Sequence, residues 1–254
     1  MEFDLSKIKF SKNDFKKCIK IPETLDSRLA EFVGIIVGDG HIGKHRSKNG
    51  NYSSAHYQIR ICGNIKDKEY YATYVNNLFS KIFNAQFSFF NSVRDNTIVL
   101  RKESKAIYYF MTEIMNIPSR KDNVRIPRII CDATDEIKSS FLRGLADTDF
   151  TLTIKNKEGK PYPVIQGVSK SNGLINDVSR ILYELDIKNC IAFDKGYSRK
   201  RKKSYPGYRI YINGTNRIKT FISKIGFSNP RHLNTFHNYL EGRVRRDSNP
   251  RPTA

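Results

Sequence analysis

Apolar and polar positions along this chain follow an order that occurs twice. In the first half an unbroken apolar stretch, Phe32-Val33-Gly34-Ile35-Ile36-Val37, follows Pro22 and a capping Asp26 or Ser27, which predicts a buried helix ending near Gly38. Residues 41–45 and 56–62 then read as a strand pair around a polar loop at 46–54. In its second strand Ile59 and Ile61 alternate with Gln58, Arg60 and Cys62, one side apolar and the other polar. Val75, Leu78, Phe79 and Ile82 return at helical spacing within 68–83. A hairpin over 86–102, turning at Arg94-Asp95-Asn96, and a helix over 105–115 complete the half.

The second half repeats this. Thr134-Asp135-Glu136 opens a helix with acids in its first turn. A strand pair covers 151–168, and a helix over 174–185 turns Val178, Ile181, Leu182 and Leu185 inward. A hairpin follows over 190–212, then a closing helix over 218–225. Each half thus reads helix, two strands, helix, two strands, helix. The expectation is an α+β chain made of a duplicated αββαββα unit with pseudo-two-fold symmetry, the period being too long for a solenoid. Residues 1–24 are an N-terminal extension, 25–131 and 132–241 the two repeats, and 242–254 a basic tail expected to be disordered.

Within the two leading helices the match is residue by residue. Phe32-Val33-Gly34-Ile35-Ile36-Val37-Gly38-Asp39-Gly40 corresponds to Leu142-Arg143-Gly144-Leu145-Ala146-Asp147-Thr148-Asp149-Phe150, so that both the glycines (34 and 144) and the acids (39 and 149) stand 110 apart. Glycine inside a helix costs about 0.5–1 kcal/mol relative to alanine. Gly34 with Gly38, and Gly144 with Thr148, form small-residue rows that let two helix backbones approach closely, which would offset that cost. Such a pair would bring Asp39 and Asp149 together. An acid at a helix C-terminus meets the negative end of the macrodipole and a set of unpaired carbonyls. A hard cation, magnesium or calcium, held by Asp39, Asp149 and the adjacent Gly38 and Thr148 would relieve that conflict. Asp147 has Val37 as its counterpart and reads as a solvent or capping acid.

Charge narrows the partner. Lys and Arg number 45 against 25 Asp and Glu in 254 residues, a formal net charge of +20, which points to nucleic acid. No apolar run approaches membrane-spanning length and no secretory signal is visible, so an intracellular protein without a membrane partner is expected. Cys18, Cys62, Cys131 and Cys190 are scattered, as in a reduced protein. His41 and His45 are four apart but follow the helix, and His232 and His237 supply no matching spacing, so zinc is not expected.

The paired motifs and the strand order around them resemble the LAGLIDADG homing endonuclease family in its single-chain, two-motif form, over residues 20–240. The resemblance implies two antiparallel saddle-shaped sheets that lie in the DNA major groove. It implies catalytic metal held at Asp39 and Asp149, and a basic residue after the last helix of each repeat. Lys121 takes that place in the first half; Arg231 and His232 stand there in the second. Phe150 departs from the glycine that follows the acid in the family. Phenylalanine tolerates a sharp turn poorly, so altered geometry is expected around Asp149. The implied activity is a monomeric, Mg2+-dependent, site-specific double-strand DNA endonuclease leaving short 3′ overhangs, with Ca2+ supporting binding without cleavage. An intron RNA maturase and a non-catalytic DNA-binding regulator are the alternatives. An intein domain is less expected, as no splicing-type Cys or Ser start and no His-Asn end are visible.

A basic, polar strand face suits DNA, since phosphate contacts position a protein while Arg, Lys, Gln and Asn read base edges. Gln58, Arg60 and Cys62 are candidates in the first half. Aligned by repeat, Val164, Gln166 and Val168 face the same way in the second. Arg94, Arg101, Lys155, Lys157, Lys170, Tyr205, Arg209 and Tyr211 extend the surface, and the loop residues Arg199, Lys200, Arg201 and Lys203 are candidate phosphate contacts.

Overall fold

The computed structural model describes residues 2–49, 52–92, 95–198 and 203–247. A short helix α1 (Lys12–Lys16) belongs to the N-terminal extension, and α2 (Ser27–Gly38) carries the first motif. Asp26 is the cap of α2, accepting from the Leu29 amide at 2.8 Å. The strands β1 (Gly40–Asn49) and β2 (Tyr52–Asn64) follow. A π-helical turn (Tyr70–Val75) runs into α3 (Asn76–Phe83). Next come β3 (Ser88–Ser92), β4 (Thr97–Glu103) and α4 (Lys105–Tyr109), and α4 continues as a second π turn (Phe110–Ile114). A one-turn helix, α5 (Arg128–Cys131), leads into α6 (Asp135–Asp149), which carries the second motif. The second half continues with β5 (Phe150–Lys157), β6 (Lys160–Ser169), α7 (Asn172–Glu184), β7 (Cys190–Ser198), β8 (Lys203–Asn213) and α8 (Thr215–Lys224), and ends in α9 (Pro230–Asp247).

The strands form two antiparallel four-stranded sheets of matching order, β1-β2-β4-β3 and β5-β6-β8-β7. Their apolar faces pack on the helices: Ile42, Ile59, Ile61, Ile98 and Leu100 on one side, Leu152, Ile165, Ile210 and Ile212 on the other, all buried. The motif helices α2 and α6 lie side by side between the sheets. Burying the inward residues of each half removes apolar surface from water, which is the main driving force for this arrangement. The extension docks on the first half through Phe3, whose ring meets Phe110 edge-on at 5.4 Å, and through Asp14, which accepts from the Ala106 amide.

Two expected stretches take another form. Within the polar stretch expected as a loop, residues 46–49 and 52–54 are strand: β1 and β2 stay paired out to Asn49 opposite Tyr52. Arg46, Ser47 and Ser54 are exposed, as their polarity suits, and Ser47 and Ser54 join at 2.8 Å across the pair. Residues 230–247 are helical, so the tail expected to be disordered continues α9 as far as Asp247. Leu233, Phe236 and Leu240 at helical spacing pack on the core, and Pro230 at the first helical position is the residue that marks its start. Of the two readings of Asp147, solvent or capping acid, the second holds: it is buried and accepts from the Ser228 and Asn229 amides, as described below.

Candidate metal and nucleic-acid site

The site begins with the crossing of α2 and α6. A Cβ on Gly34 would run into the Phe141 carbonyl and lie 2.8 Å from the Leu145 nitrogen. A Cβ on Gly144 would run into the Glu31 carbonyl and lie 3.0 Å from the Ile35 nitrogen. The two contacts are reciprocal, as an internal two-fold axis requires, since 31 and 35 correspond to 141 and 145. One turn further, a Cβ on Gly38 would strike the Thr148 side chain and come within 3.5 Å of the Asp149 carboxyl carbon. At the opposite ends Ser27 Oγ donates to Glu136 Oε1 at 2.6 Å, tying the two helix starts together. Only glycine permits such close backbone approach, and the approach sets both acids beside the axis.

Asp39 is held from two sides. Tyr71 Oη donates to Asp39 Oδ2 at 2.6 Å, and the Cys62 amide donates to the Asp39 carbonyl at 3.1 Å. Burial raises the Asp39 pKa, with the Tyr71 hydrogen bond and the Lys121 charge opposing the rise and Asp67 adding to it. Asp149 is pushed up to about 7 by burial and by the charge of Asp39, with Lys121 opposing. Lys121 Nζ donates to the Gly38 carbonyl, one of the orphan acceptors at the end of α2. Burial lowers the Lys121 pKa, and Asp149 and Asp39 pull it back up. One ammonium therefore faces two carboxylates and cannot neutralise both.

The donor set suits a hard divalent cation. Two carboxylates and the last carbonyls of two helices supply only oxygen, which such ions prefer. The Thr148 hydroxyl is spent within its own helix on the Gly144 and Leu145 carbonyls, at 3.2 and 3.0 Å, so Thr148 can offer only its carbonyl. The Gly38 carbonyl is already engaged by Lys121.

The second-half counterparts of Lys121 lie elsewhere. Arg231 Nη1 stands 3.3 Å from Asp67 Oδ2, a buried acid whose charge reaches Asp39. The His232 ring is buried against Phe227, centroids 4.6 Å apart, and desolvation first, then the Arg231 charge, holds its pKa down at about 4. Residues 231 and 232 open α9, which buries His232 and leaves Arg231 exposed beside Asp67. Asp147 accepts from the Ser228 and Asn229 amides and from Tyr70 Oη at 3.2 Å, so it caps the approach to α9; burial pushes it up to about 7.

Phe150, standing where the family has glycine, makes no sharp turn. Phe150 has an ordinary extended backbone, φ −103° and ψ 155°. Its ring fills the space above Gly167, where a Cβ would strike it. The first half has the opposite arrangement, Gly40 facing Ile61 across the strand pair where Phe150 faces Gly167. Bulk has moved from one strand to its neighbour, and the space between the strands stays filled.

Strand register sorts the candidate DNA contacts. In the first sheet His41, Arg60, Arg101 and Ser88 stand in one row across β1, β2, β4 and β3, with Gln58 opposite Glu103 and Cys62 opposite Val99. Arg101 is engaged by Glu103. In the second sheet Thr151, Gln166, Tyr211 and Cys190 form the equivalent row, and Val168 stands opposite Arg209. Lys155 lies over the Tyr211 ring at 5.5 Å, Lys157 over Tyr162 at 5.7 Å, and Lys170 follows β6. Val164, expected on the open face, is buried. Lys203 and Tyr205 pair with Ser198 and Gly196. Arg94, Arg199, Lys200 and Arg201 lie outside the described residues.

Sequence reasoning missed Tyr71, Asp67 and His41. Tyr71 shares the face of Val75, Leu78 and Phe79 and so reads as a core position. His41 carries a weak signal: it follows the first acid by two residues and stands opposite Arg60, and burial, then the charges of Arg60 and Lys121, lower its pKa.

Among the described residues no helix is long and apolar enough to cross a membrane, and all four cysteines are free. Residues 136–226 match the LAGLIDADG-like domain family. A probable translation initiation factor IF-2 of Methanocaldococcus jannaschii is 27% identical over 133 residues, covering 52% of this chain and 11% of that protein. A DNA polymerase of Thermococcus aggregans is 24% identical over 198 residues, covering 78% and 9%. The chain thus spans only about a tenth of the length of these curated relatives. Among solved structures, I-DmoI in complex with DNA and Ca aligns over 83% of this chain and 97% of its own, with 21% identity and a TM-score of 0.59. The meganuclease I-SmaMI bound to uncleavable DNA covers 81% and 86%, with 13% identity and a TM-score of 0.53. The chain therefore contains a LAGLIDADG-like domain at residues 136–226 and has, across both halves, the fold of the single-chain LAGLIDADG homing endonucleases.

Proposed function

We propose that this chain is a monomeric, site-specific DNA endonuclease that cuts both strands of a long, roughly pseudo-palindromic site using divalent metal held by Asp39 and Asp149. The observation that carries this reading is the meeting of two half-buried acids at the ends of α2 and α6, with one lysine whose charge reaches both. Structures of the same fold have been solved with DNA and Ca, and with DNA and Mn. Bound divalent metal would activate water for in-line attack and stabilise the leaving 3′ oxygen. Asp39 and Asp149 would hold that metal; Lys121 would stabilise developing phosphate charge or poise the water. The open sheet faces would position the duplex through Lys155, Lys157 and Lys170 and read it through Gln58, Arg60 and Gln166, placing the minor groove at the acids so that short 3′ overhangs result. Magnesium is the expected metal, with calcium supporting binding alone.

The test is a selection for cleaved duplexes from a randomised library, followed by Asp39→Asn and Asp149→Asn on the selected site. Loss of cutting with retained binding supports the reading; full cleavage by either variant overturns it. A preference for structured RNA over every duplex would instead favour a maturase.

A further inference from the structure

The two acids are supported unequally. Asp39 accepts a 2.6 Å hydrogen bond from Tyr71, a residue only 2% exposed, whose ring lies where a Cβ on Gly63 would collide with it. Gly63 directly follows Cys62, whose amide holds the Asp39 carbonyl. The segment from 62 to 71 therefore grips Asp39 at backbone and side chain together, and it ends in the π-helical turn Tyr70–Val75. Such turns add a residue to the helical circuit and redirect side chains, and they concentrate at functional sites. Behind Tyr71, Asp67 is buried and paired with Arg231 at 3.3 Å, which keeps its charge from standing alone beside Asp39.

No equivalent serves Asp149. The inward ladders of the two halves align at a separation of 103 (75 with 178, 79 with 182), and across the extra residue of the π turn this puts Leu174 and Ile175, both buried and without a side-chain donor, in the region where Tyr71 stands. Among the described residues no hydrogen-bond donor reaches the Asp149 carboxylate.

We infer that Tyr71 is a positioning residue that fixes Asp39 as a one-oxygen metal ligand, so that the two motif acids are inequivalent ligands, with Asp149 presenting two unclaimed oxygens. A donor on Oδ2 occupies one lone pair and fixes the carboxylate plane, so that Oδ1 is the oxygen that would serve a bound ion. Outer partners of this kind typically contribute about 10–100-fold in metal affinity. The inference rests on the metal-site reading of Asp39 and Asp149.

The experiment is a calcium titration of the chain bound to its selected duplex, followed by calorimetry and by the rise in melting temperature, so no turnover is needed. Tyr71→Phe keeps the ring over Gly63 and removes only the hydroxyl. The expected result is calcium binding weakened about 10–100-fold. The metal midpoint for cutting should move by a similar factor, with the rate at saturating metal nearly restored and duplex affinity in EDTA unchanged. An unchanged calcium affinity overturns the inference. If Tyr71→Phe does not fold, the wild-type chain answers the question: the Tyr71 hydroxyl proton resonance must shift as calcium is added, and a resonance unmoved at saturation overturns it. Failure of the metal-site reading looks different, because Asp39→Asn would then bind calcium and cut as the wild type does.

Discussion

The two halves of this molecule share one backbone plan and diverge at the point where chemistry is expected. Along the α2–α6 crossing they are interchangeable: Gly34 meets the backbone of Phe141 and Leu145, and Gly144 meets that of Glu31 and Ile35. One turn later Asp39 has a tyrosine hydroxyl and a bracing amide, whereas Asp149, among the described residues, meets the opposing charge of Asp39 and the attraction of Lys121 without a hydrogen-bond donor. Lys121 stands between the acids, while Arg231 is drawn to Asp67 and His232 is buried. The difference teaches where a duplicated fold is constrained. A close helix crossing admits no side chain on either copy, so both copies keep glycine. The surroundings of the acids need only balance charge jointly, so the two copies are free to drift apart.

The largest expected effects test whether the acids act as a pair. Asp39→Asn and Asp149→Asn should each lower cleavage by about three orders of magnitude or more, because losing either donor removes the shared charge stabilisation. Duplex binding, measured by gel shift in calcium, should change little. A variant that merely slows cutting on one strand would show that the acids work separately.

The next test concerns the shared crossing. Gly34→Ala and Gly144→Ala should each destabilise the fold by about 3 kcal/mol or more, and by similar amounts, since each methyl meets a backbone carbonyl. Urea unfolding checks this, and a clear inequality between the two would break the symmetry argument. A related comparison probes the exchanged bulk at Phe150. Phe150→Gly alone should cost about 3–5 kcal/mol through the cavity it leaves, and Gly167→Ile alone should clash with the ring. The double variant, which recreates the Gly40–Ile61 arrangement, should recover much of both losses, read as a coupling energy in a double-mutant cycle.

A smaller effect follows from protonation. Asp149 and Asp147 both titrate near 7 in the folded chain against an ordinary 3.8, so the fold binds protons that the unfolded chain releases. Their contribution to stability is fully present below about pH 4 and is lost as pH rises through 7. The metal-free protein should therefore melt several degrees lower at pH 8 than at pH 6, and Asp149→Asn should flatten that dependence. Saturating calcium should reverse its sign, since the cation needs the deprotonated carboxylate.

The smallest effects separate the sheets. Arg60→Ala, with Gln58→Ala, should relax preference at a few base pairs of one half-site by about 1–3 kcal/mol for each bidentate base pairing removed. Lys155→Ala with Lys157→Ala should reduce the salt slope by about 0.9 for each phosphate no longer neutralised, leaving base preference nearly unchanged. Equal loss of base preference from both pairs would remove the division of labour between the faces.

The sequence by itself determined the duplication, the element order and the approach of the two acids. Glycines and acids in register 110 apart describe contacts within two short segments, and hydrophobic periodicity reports which face of each element turns inward. It fell short where a partner comes from far along the chain. Tyr71 reads as another inward residue of a helix; that its hydroxyl meets Asp39, 32 positions earlier, is decided by how α2 seats against β2 and the π turn. Phe150 reads as a departure from the expected glycine, and only the cross-strand pairing with Gly167 supplies the room for its ring. Asp147, Arg231 and His232 read as polar positions, until α9 folds back and buries one acid, pairs the arginine and encloses the imidazole. Local periodicity is written into neighbouring residues, whereas burial of a polar group depends on which distant surface covers it, and that is settled only when the halves pack together.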